Sequence, residues 1–368
     1  MREVTIKKPD YRLLAALGVL LLFGLIMLSS ASSAVGVARY GDASYFLKRQ
    51  LLFGVLPGLL FFSIVARIDY RLLKRLALPL FIFALSLLVL VLIPGIGQEY
   101  NGARRWLSVA GYNFQPSEIM KLALIIYLSV WLDSRGRTIK DYRTGLMPFL
   151  AIIGGVFLLI VAQPDLGTAI TIGGVAVGMY FLANAPYRDI GIIGVLSATG
   201  LAGLIAVAPY RMERLLTFLH PERDPLGDGY HINQALLAIG SGGFWGRGYG
   251  HSRAKFQYLP EVSGDSIFAV IGEELGFVFT VALIMLYGYI FLRILRIAER
   301  APDTFGRLLV AGIGIWLFVQ MMVNVGAMVA LFPLTGLPLP FISYGGTALM
   351  TMLTGIGILM SVSRQSAR

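Results

Sequence analysis

Apolar residues in this chain run in long, nearly charge-free blocks separated by short polar stretches. About 20 mostly apolar residues are needed for a helix to cross the hydrocarbon core of a bilayer. Ten blocks approach that size: Leu13–Ser32, Leu51–Ala66, Ala77–Pro94, Glu118–Leu132, Leu146–Ala162, Thr168–Ala185, Ile190–Ala208, Ser266–Leu292, Leu308–Phe332 and Gly346–Ser363. The pattern predicts an all-α polytopic integral membrane protein with about ten transmembrane helices. It forms a single membrane domain over residues 1–368, with one large structured loop, 210–265, between the seventh and eighth spans. Glu118–Leu132 is the weakest block, being short and carrying Glu118 and Lys121 in its first turns.

Lysine and arginine assign the sides. With the N-terminus inside, the segments 1–12, 67–76, 133–145, 186–189, 293–307 and 364–368 hold 19 basic residues, against 5 in the short outer segments. The long loop holds 6 more, but long loops obey the positive-inside rule poorly. Both termini are therefore expected in the cytoplasm. The first block is a retained helix rather than a cleavable signal, because Leu13–Ala38 is 26 uncharged residues, well beyond a signal core.

Composition agrees. Apolar residues make up 57% and charged residues 14% of the 368, and the mean hydropathy is +0.76. A soluble domain carries about 25% charged residues, so soluble globular, disordered and collagen-like chains are excluded. The net charge of +11 is accounted for by topology, and nothing points to nucleic acid. With no cysteine and only three histidines, disulfides, Cys-ligated zinc and thiol catalysis are excluded, and no metal site is expected.

The informative residues gather on the outer side. Asn101–Trp106, with Arg104 and Arg105, precedes Gln115-Pro116-Ser117-Glu118 and Lys121. Pro116 and Ser117 open a helix, which puts Glu118 and Lys121 three residues apart on one face. They form either an ion pair whose lysine snorkels outward or a charged face lining a polar cavity; ionisable groups inside spans favour the second. Gln163-Pro164-Asp165-Leu166-Gly167-Thr168 places a carboxylate at a helix N-terminus, a capping position.

The loop 210–265 is too long for a plain connector, is rich in aromatics and contains a helical stretch at Ile232–Ile239. Its run Gly240–Gly250 lacks the Lys-Ser/Thr ending and preceding strand of a nucleotide loop. Asp265 ends the loop at the start of a helix, where it is equally an N-cap or a general base with raised proton affinity. Glu273, two turns further, needs a partner or a wet cavity. Between the last two spans, Pro333–Gly346 has three prolines and several glycines around Ser343; backbone that irregular must be buried in protein or line a cavity, as a re-entrant element does.

These stretches resemble, in the same order, the motifs of the SEDS family (shape, elongation, division and sporulation). They are Asn101–Trp106, Gln115–Lys121, Gln163–Thr168, Asp224–Gly227, Gly240–Gly243, Tyr258–Asp265 with Gly272–Gly276, and Leu337–Gly346. The likeness runs from about Asp10 to Arg364. Ile68-Asp69-Tyr70, Pro94–Gly97 and Arg300–Asp303 look more like the division-type FtsW branch than the elongation-type RodA branch.

The resemblance implies a multi-pass enzyme of the bacterial cytoplasmic membrane, a peptidoglycan glycosyltransferase that polymerises lipid II at the outer face. It would work with a class B penicillin-binding protein as transpeptidase, among other division proteins and membrane lipid. It also implies that Asp265 deprotonates the acceptor 4-hydroxyl and that Glu118 and Lys121 line the cavity. Ser263-Gly264 stands in place of the family's usual His-Thr before this Asp, and Ser266 in place of the usual Phe after it.

A pyrophosphate leaving group asks for cations, and Arg104, Arg105, Lys121, Arg247, Arg253 and Lys255 are at hand, with Ser343 a further substrate-binding candidate. No cofactor is implied with certainty, and a divalent cation (Mg or Mn) could help neutralise the leaving group, although the sequence shows no dedicated ligand cage. The alternatives are a lipid II flippase, an elongation-type polymerase, a broken-helix transporter or a structural scaffold. A flippase needs a polar route through the whole thickness, and the inner halves of these spans are nearly charge-free.

Overall fold

The computed structural model describes residues 9–365 apart from 101, 110, 208, 221–226 and 257. Asn101 and the Asp224–Leu226 part of one family motif lie outside the described residues. Each of the ten apolar blocks coincides with a helix or helix pair. In chain order these are α1 (Tyr11–Tyr40), α2 (Tyr45–Gln50) running on through a π-turn into α3 (Leu56–Val65), α4 (Leu72–Leu92), α5 (Pro116–Arg135), α6 (Met147–Val161), α7 (Leu166–Leu182) and α8 (Tyr187–Val207). Then follow α9 (Pro209–Leu219), α10 (Asp228–Ser241), α11 (Ile267–Glu299), α12 (Thr304–Met328) and α13 (Gly346–Gln365). Among the described residues, eight spans are long and apolar enough to cross a membrane. The two blocks outside that count are α7, a shorter apolar helix of 17 residues, and α5, which carries charges at both ends.

Aspartates set several helix starts. Asp10, Asp165 and Asp303 accept from the backbone N–H of Leu13, Thr168 and Gly306, pairing donors a helix leaves orphaned. Helices α5, α12 and α13 are buried along most of their length and form the centre, with α3, α4, α7 and α11 packed around them. Outward faces carry exposed apolar side chains such as Leu52, Leu60, Ile82, Phe83, Leu158 and Val195, as lipid contact requires.

The basic segments converge at one end of the bundle. There Asp10 pairs with Arg293, Tyr70 Oη donates to Asp303 Oδ2 over 2.9 Å, Arg71 meets Asp303, and Lys74 Nζ lies 2.9 Å from Asp133. The residues singled out for chemistry lie at the opposite end.

Two features depart from the sequence expectations. Residues Gly97–Phe114 form a three-stranded antiparallel meander, β1 (Gly97–Tyr100), β2 (Ala103–Val109) and β3 (Tyr112–Phe114), so the all-α class holds for the bundle and a small sheet is added to it. Leu107 of β2 packs on Leu87 and Val91 of α4, giving the sheet an apolar face to bury. The helix expected at Ile232–Ile239 is α10, which packs on α11.

The span expected as Ser266–Leu292 is not one continuous helix. Gly276 has φ of 79°, and the backbone break is filled by the loop: Phe277 and Val278 donate their N–H groups to Gly243 O and Phe244 O, while Arg247 and Gly248 donate to Glu273 O and Glu274 O. A Cβ at Gly276 would stand 2.3 Å from Gly246 N. The glycine run thus serves close backbone approach to α11. Gly276→Val combines a disfavoured φ with that clash, so it should destabilise by more than about 3 kcal/mol. The check is the melting temperature in detergent, with Gly288→Ala, which has open space, as the control.

Candidate active site

Starting from α5, Pro116 pre-sets the first turn and Glu118 and Lys121 fall on the face turned into the bundle. Both are buried, and Lys121 Nζ donates to Glu118 Oε1 at 2.7 Å and to Gln320 Oε1 of α12 at 2.9 Å. The ammonium also lies 5.3 Å from the Trp316 ring. Lysine therefore does not snorkel outward, and the pair is closed inside protein rather than open to a cavity. Glu118 Oε2 and Ser117 Oγ are buried without a hydrogen-bond partner.

Gln320 continues the chain by donating to Pro338 O at 2.9 Å. One turn along α12, Asn324 Nδ2 donates both to Leu337 O at 2.7 Å and to the backbone O of Asp265 at 2.8 Å. The middle of the segment Pro333–Gly346, Leu339 to Ser343, is buried as irregular membrane backbone must be. Gln50 spans Ser343 O and Gly345 N, and Tyr287 Oη donates to Pro340 O. A Cβ at Gly24 of α1 would stand 2.3 Å from Phe341 O, so that glycine makes room for the segment. Ser343 Oγ accepts from Leu339 N at 2.8 Å and closes the turn from within.

Asp265 sits at the rim of this assembly. The helix start is capped at Ser266, so Asp265 is not the N-cap. Tyr344 N donates to Ser263 O at 2.8 Å, and Asn324 holds the Asp265 carbonyl, so both sides of the carboxylate are anchored to other elements. The side chain is half-buried, and burial, with the nearby Glu261 carboxylate adding to it, pushes its pKa up to about 7.

The other cations divide by exposure. Arg105 donates to Gln163 O and Pro164 O and approaches Asp165, which itself caps α7. Lys255 is buried with Nζ on Glu274 Oε1 at 3.0 Å, Ser30 Oγ at 3.1 Å and Gly250 O at 2.7 Å. Glu273 accepts from Ser252 Oγ and from the N–H groups of Arg253 and Ala254, which answers its need for a partner. Arg253 and Arg247 are exposed, the latter beside Glu273, and Arg104 is partly exposed and paired with Glu99 at 2.9 Å. Sequence reasoning missed Gln50, Gln320 and Asn324. For Gln320 and Asn324 the signal was an amide in the middle of an apolar block, which needs a buried partner; Gln50, just ahead of its block and beside Lys48 and Arg49, gave no such signal.

A family of cell cycle proteins comprising FtsW, RodA and SpoVE matches residues 11–368. The chain belongs to that FtsW/RodA/SpoVE family. Stage V sporulation protein E of Bacillus subtilis is 41% identical over 365 residues, 99% of this chain and 100% of that one. A "Probable peptidoglycan glycosyltransferase FtsW" of Trichlorobacter lovleyi is 41% identical over 364 residues, 97% and 95% of the two chains.

Among solved structures, RodA of Thermus thermophilus is 30% identical with a TM-score of 0.71, covering 98% of both chains. A chain from a peptidoglycan synthase complex, studied for coordination of polymerization and crosslinking, is 29% identical with a TM-score of 0.79 over 97% of this chain and 98% of that one. Family membership, the helical bundle and the apolar helices make this chain a multi-pass protein of the bacterial inner membrane.

Removing one member of the α5 pair strands a buried charge. Lys121→Met should destabilise by about 3–5 kcal/mol, whereas Glu118→Gln with Lys121→Met together should recover much of that loss. Melting temperatures of the single and double variants in one detergent check it.

Proposed function

We propose that this protein is a peptidoglycan glycosyltransferase that polymerises lipid II at the outer face of the cytoplasmic membrane, with Asp265 as the general base. The observation that carries the reading is the setting of Asp265: half-buried, anchored through Asn324 and Tyr344, and with its proton affinity raised to about 7. A carboxyl near neutral pKa matches a base that must accept a proton at physiological pH. The ends of the bundle support the orientation, since the basic segments meet at the end away from Asp265; by the positive-inside rule both termini lie in the cytoplasm.

In the reaction, Asp265 takes the proton of the acceptor sugar's 4-hydroxyl as that oxygen attacks the anomeric carbon of the donor. The bond from that carbon to the pyrophosphate oxygen breaks, and the polyprenyl pyrophosphate leaves. Displacement from the opposite side inverts an α-linked donor to a β-1,4 bond. Exposed Arg253 is the cation we assign to the pyrophosphate, with Arg104, paired with Glu99, a second that would have to leave its partner, while Arg105, Lys121 and Lys255 act by holding the surrounding structure. A divalent ion, Mg or Mn, would help neutralise the charge on the leaving pyrophosphate.

The transpeptidase partner is a class B penicillin-binding protein, a reading supported by likeness to a chain from a synthase complex. Identity of about 41% to FtsW- and SpoVE-named relatives, against 30% to RodA, favours a division-type over an elongation-type role. One set of contacts among the described residues speaks against the flippase alternative. Beyond the Lys121–Gln320 contact, Leu122, Ile125, Ile313 and Trp316 close around Gly312 and Gly355 in apolar contact.

The test is reconstitution with the cognate penicillin-binding protein in liposomes supplied with labelled lipid II. Asp265→Asn should lower the rate at least about 100-fold, the low end of what a general base contributes, with unchanged membrane level. The wild-type rate should climb with pH through about 7, since the base works ionised and its pKa is raised to that value. An Asp265→Asn protein that still builds strands sinks the assignment.

A further inference from the structure

Ser266 replaces an apolar residue usual in the family, and its surroundings let its protons be counted. Ser266 Oγ lies 2.5 Å from His231 Nε2, 2.8 Å from Pro260 O and 3.4 Å from Asp265 Oδ1. The hydroxyl owns one proton. The Pro260 carbonyl only accepts, and an ionised Asp265 only accepts, so the serine proton goes to one of these. The proton in the 2.5 Å contact must then come from His231, which fixes the Nε2–H tautomer. His231 of α10 and Ser266 are both buried, so bulk water competes weakly for these contacts.

We propose that His231 is a positioning residue for Asp265, acting through Ser266: Nε2–H pins Ser266 Oγ, and the serine proton turns to Asp265 Oδ1 or to Pro260 O as the carboxyl loses or gains its proton. With Asp265 ionised, the serine O–H donates to Oδ1. Once Asp265 has taken the acceptor's proton on the oxygen that faces the acceptor, Oδ1 is an uncharged and weaker acceptor, and the serine proton swings to Pro260 O. The His231 N–H occupies one lone pair of Oγ in both states, so the serine stays pinned while its proton moves. The inference rests on the reading of Asp265 as the base, and adds to it a device that keeps the carboxylate aimed through the proton transfer.

Around this pair, Glu261 lies on the same turn, His231 of α10 meets Ser266, and Asn324 of α12 holds the Asp265 carbonyl. Glu261 favours the protonated form of Asp265, whereas a hydroxyl donated to the carboxylate favours the ionised form. Losing that donor therefore moves the ascending limb of the pH–rate profile upward.

The experiment uses the full protein with its penicillin-binding partner in liposomes, and initial rates of strand synthesis from labelled lipid II across the neutral range. The variants are His231→Ala, His231→Gln, Ser266→Ala, the alanine pair and Asp265→Asn, each with its melting temperature and membrane level. His231→Ala should lower the rate at neutral pH about five- to ten-fold, the worth of one hydrogen bond, and raise the ascending limb by about half to one pH unit. Ser266→Ala should do the same, the pair should be no worse than Ser266→Ala alone, and His231→Gln, which keeps an N–H donor, should restore the limb.

A loss of rate with an unmoved limb in His231→Ala overturns the proposal, because packing alone would do that. If His231→Ala fails to accumulate, an unmoved limb in Ser266→Ala overturns it instead. An active Asp265→Asn removes the base assignment itself. An inactive one beside unmoved limbs removes only the role of His231.

Discussion

A backbone that leaves the helix inside an apolar bundle has to find side-chain donors for every carbonyl it frees, and most of the polar chemistry of this protein descends from that requirement. The segment from Pro333 to Gly346 frees carbonyls at Leu337, Pro338, Pro340 and Ser343, which accept from Asn324, Gln320, Tyr287 and Gln50. Those donors come from α2, α11 and α12, so satisfying one irregular segment draws three elements together. An unpaired carbonyl in such surroundings costs several kcal/mol, while the gain from each bond made is nearer 1 kcal/mol. The arrangement is held mainly by the cost of leaving it incomplete.

The same amides then reach the residues for which chemistry was inferred. Gln320 Oε1 receives both Lys121 and the Trp316 indole N–H, and Asn324 Nδ2 divides between Leu337 and Asp265. The charged pair on α5 and the carboxylate at the rim therefore share a scaffold although they lie on different helices. In the family-based reading Glu118 and Lys121 line a cavity. Here they close on each other and on Gln320, leaving Glu118 Oε2 and Ser117 Oγ as the unpaired atoms. A pair so arranged is costly to break from either side, which makes it a support for the helix interface as much as a surface for substrate.

Element existence was legible because each block is long and apolar, and the positive-inside tally foresaw which segments would meet at one end. What sequence reasoning did not reach depended on contacts remote in the chain. The Gly97–Phe114 sheet is short, and its burial comes from Leu87 and Val91 on a preceding helix. The break at Gly276 is invisible in hydropathy, because both halves of α11 are apolar; it exists because residues 243–248 supply the bonds the helix lacks there. Two of the supposed clamps, Arg105 and Lys255, were indistinguishable by type from exposed Arg253. Only the positions of Pro164 and Glu274 consume their charge.

That redistribution of charge bears on how the site works. If every nearby cation faced Asp265, its carboxyl would be held well below the ordinary range and would be a poor base at neutral pH. Lys255 instead neutralises Glu274, Arg247 leans on Glu273, and Arg105 is spent on the turn before α7. What remains beside Asp265 is burial and the like charge of Glu261, both of which raise proton affinity, opposed by the Ser266 hydroxyl. In the proposed reaction the exposed charge of Arg253 is the one offered to a leaving pyrophosphate, since Arg104 is paired with Glu99. Keeping Asp265 away from cations while leaving Arg253 exposed would separate the two halves of such a displacement, and internal ion pairing is what keeps them apart.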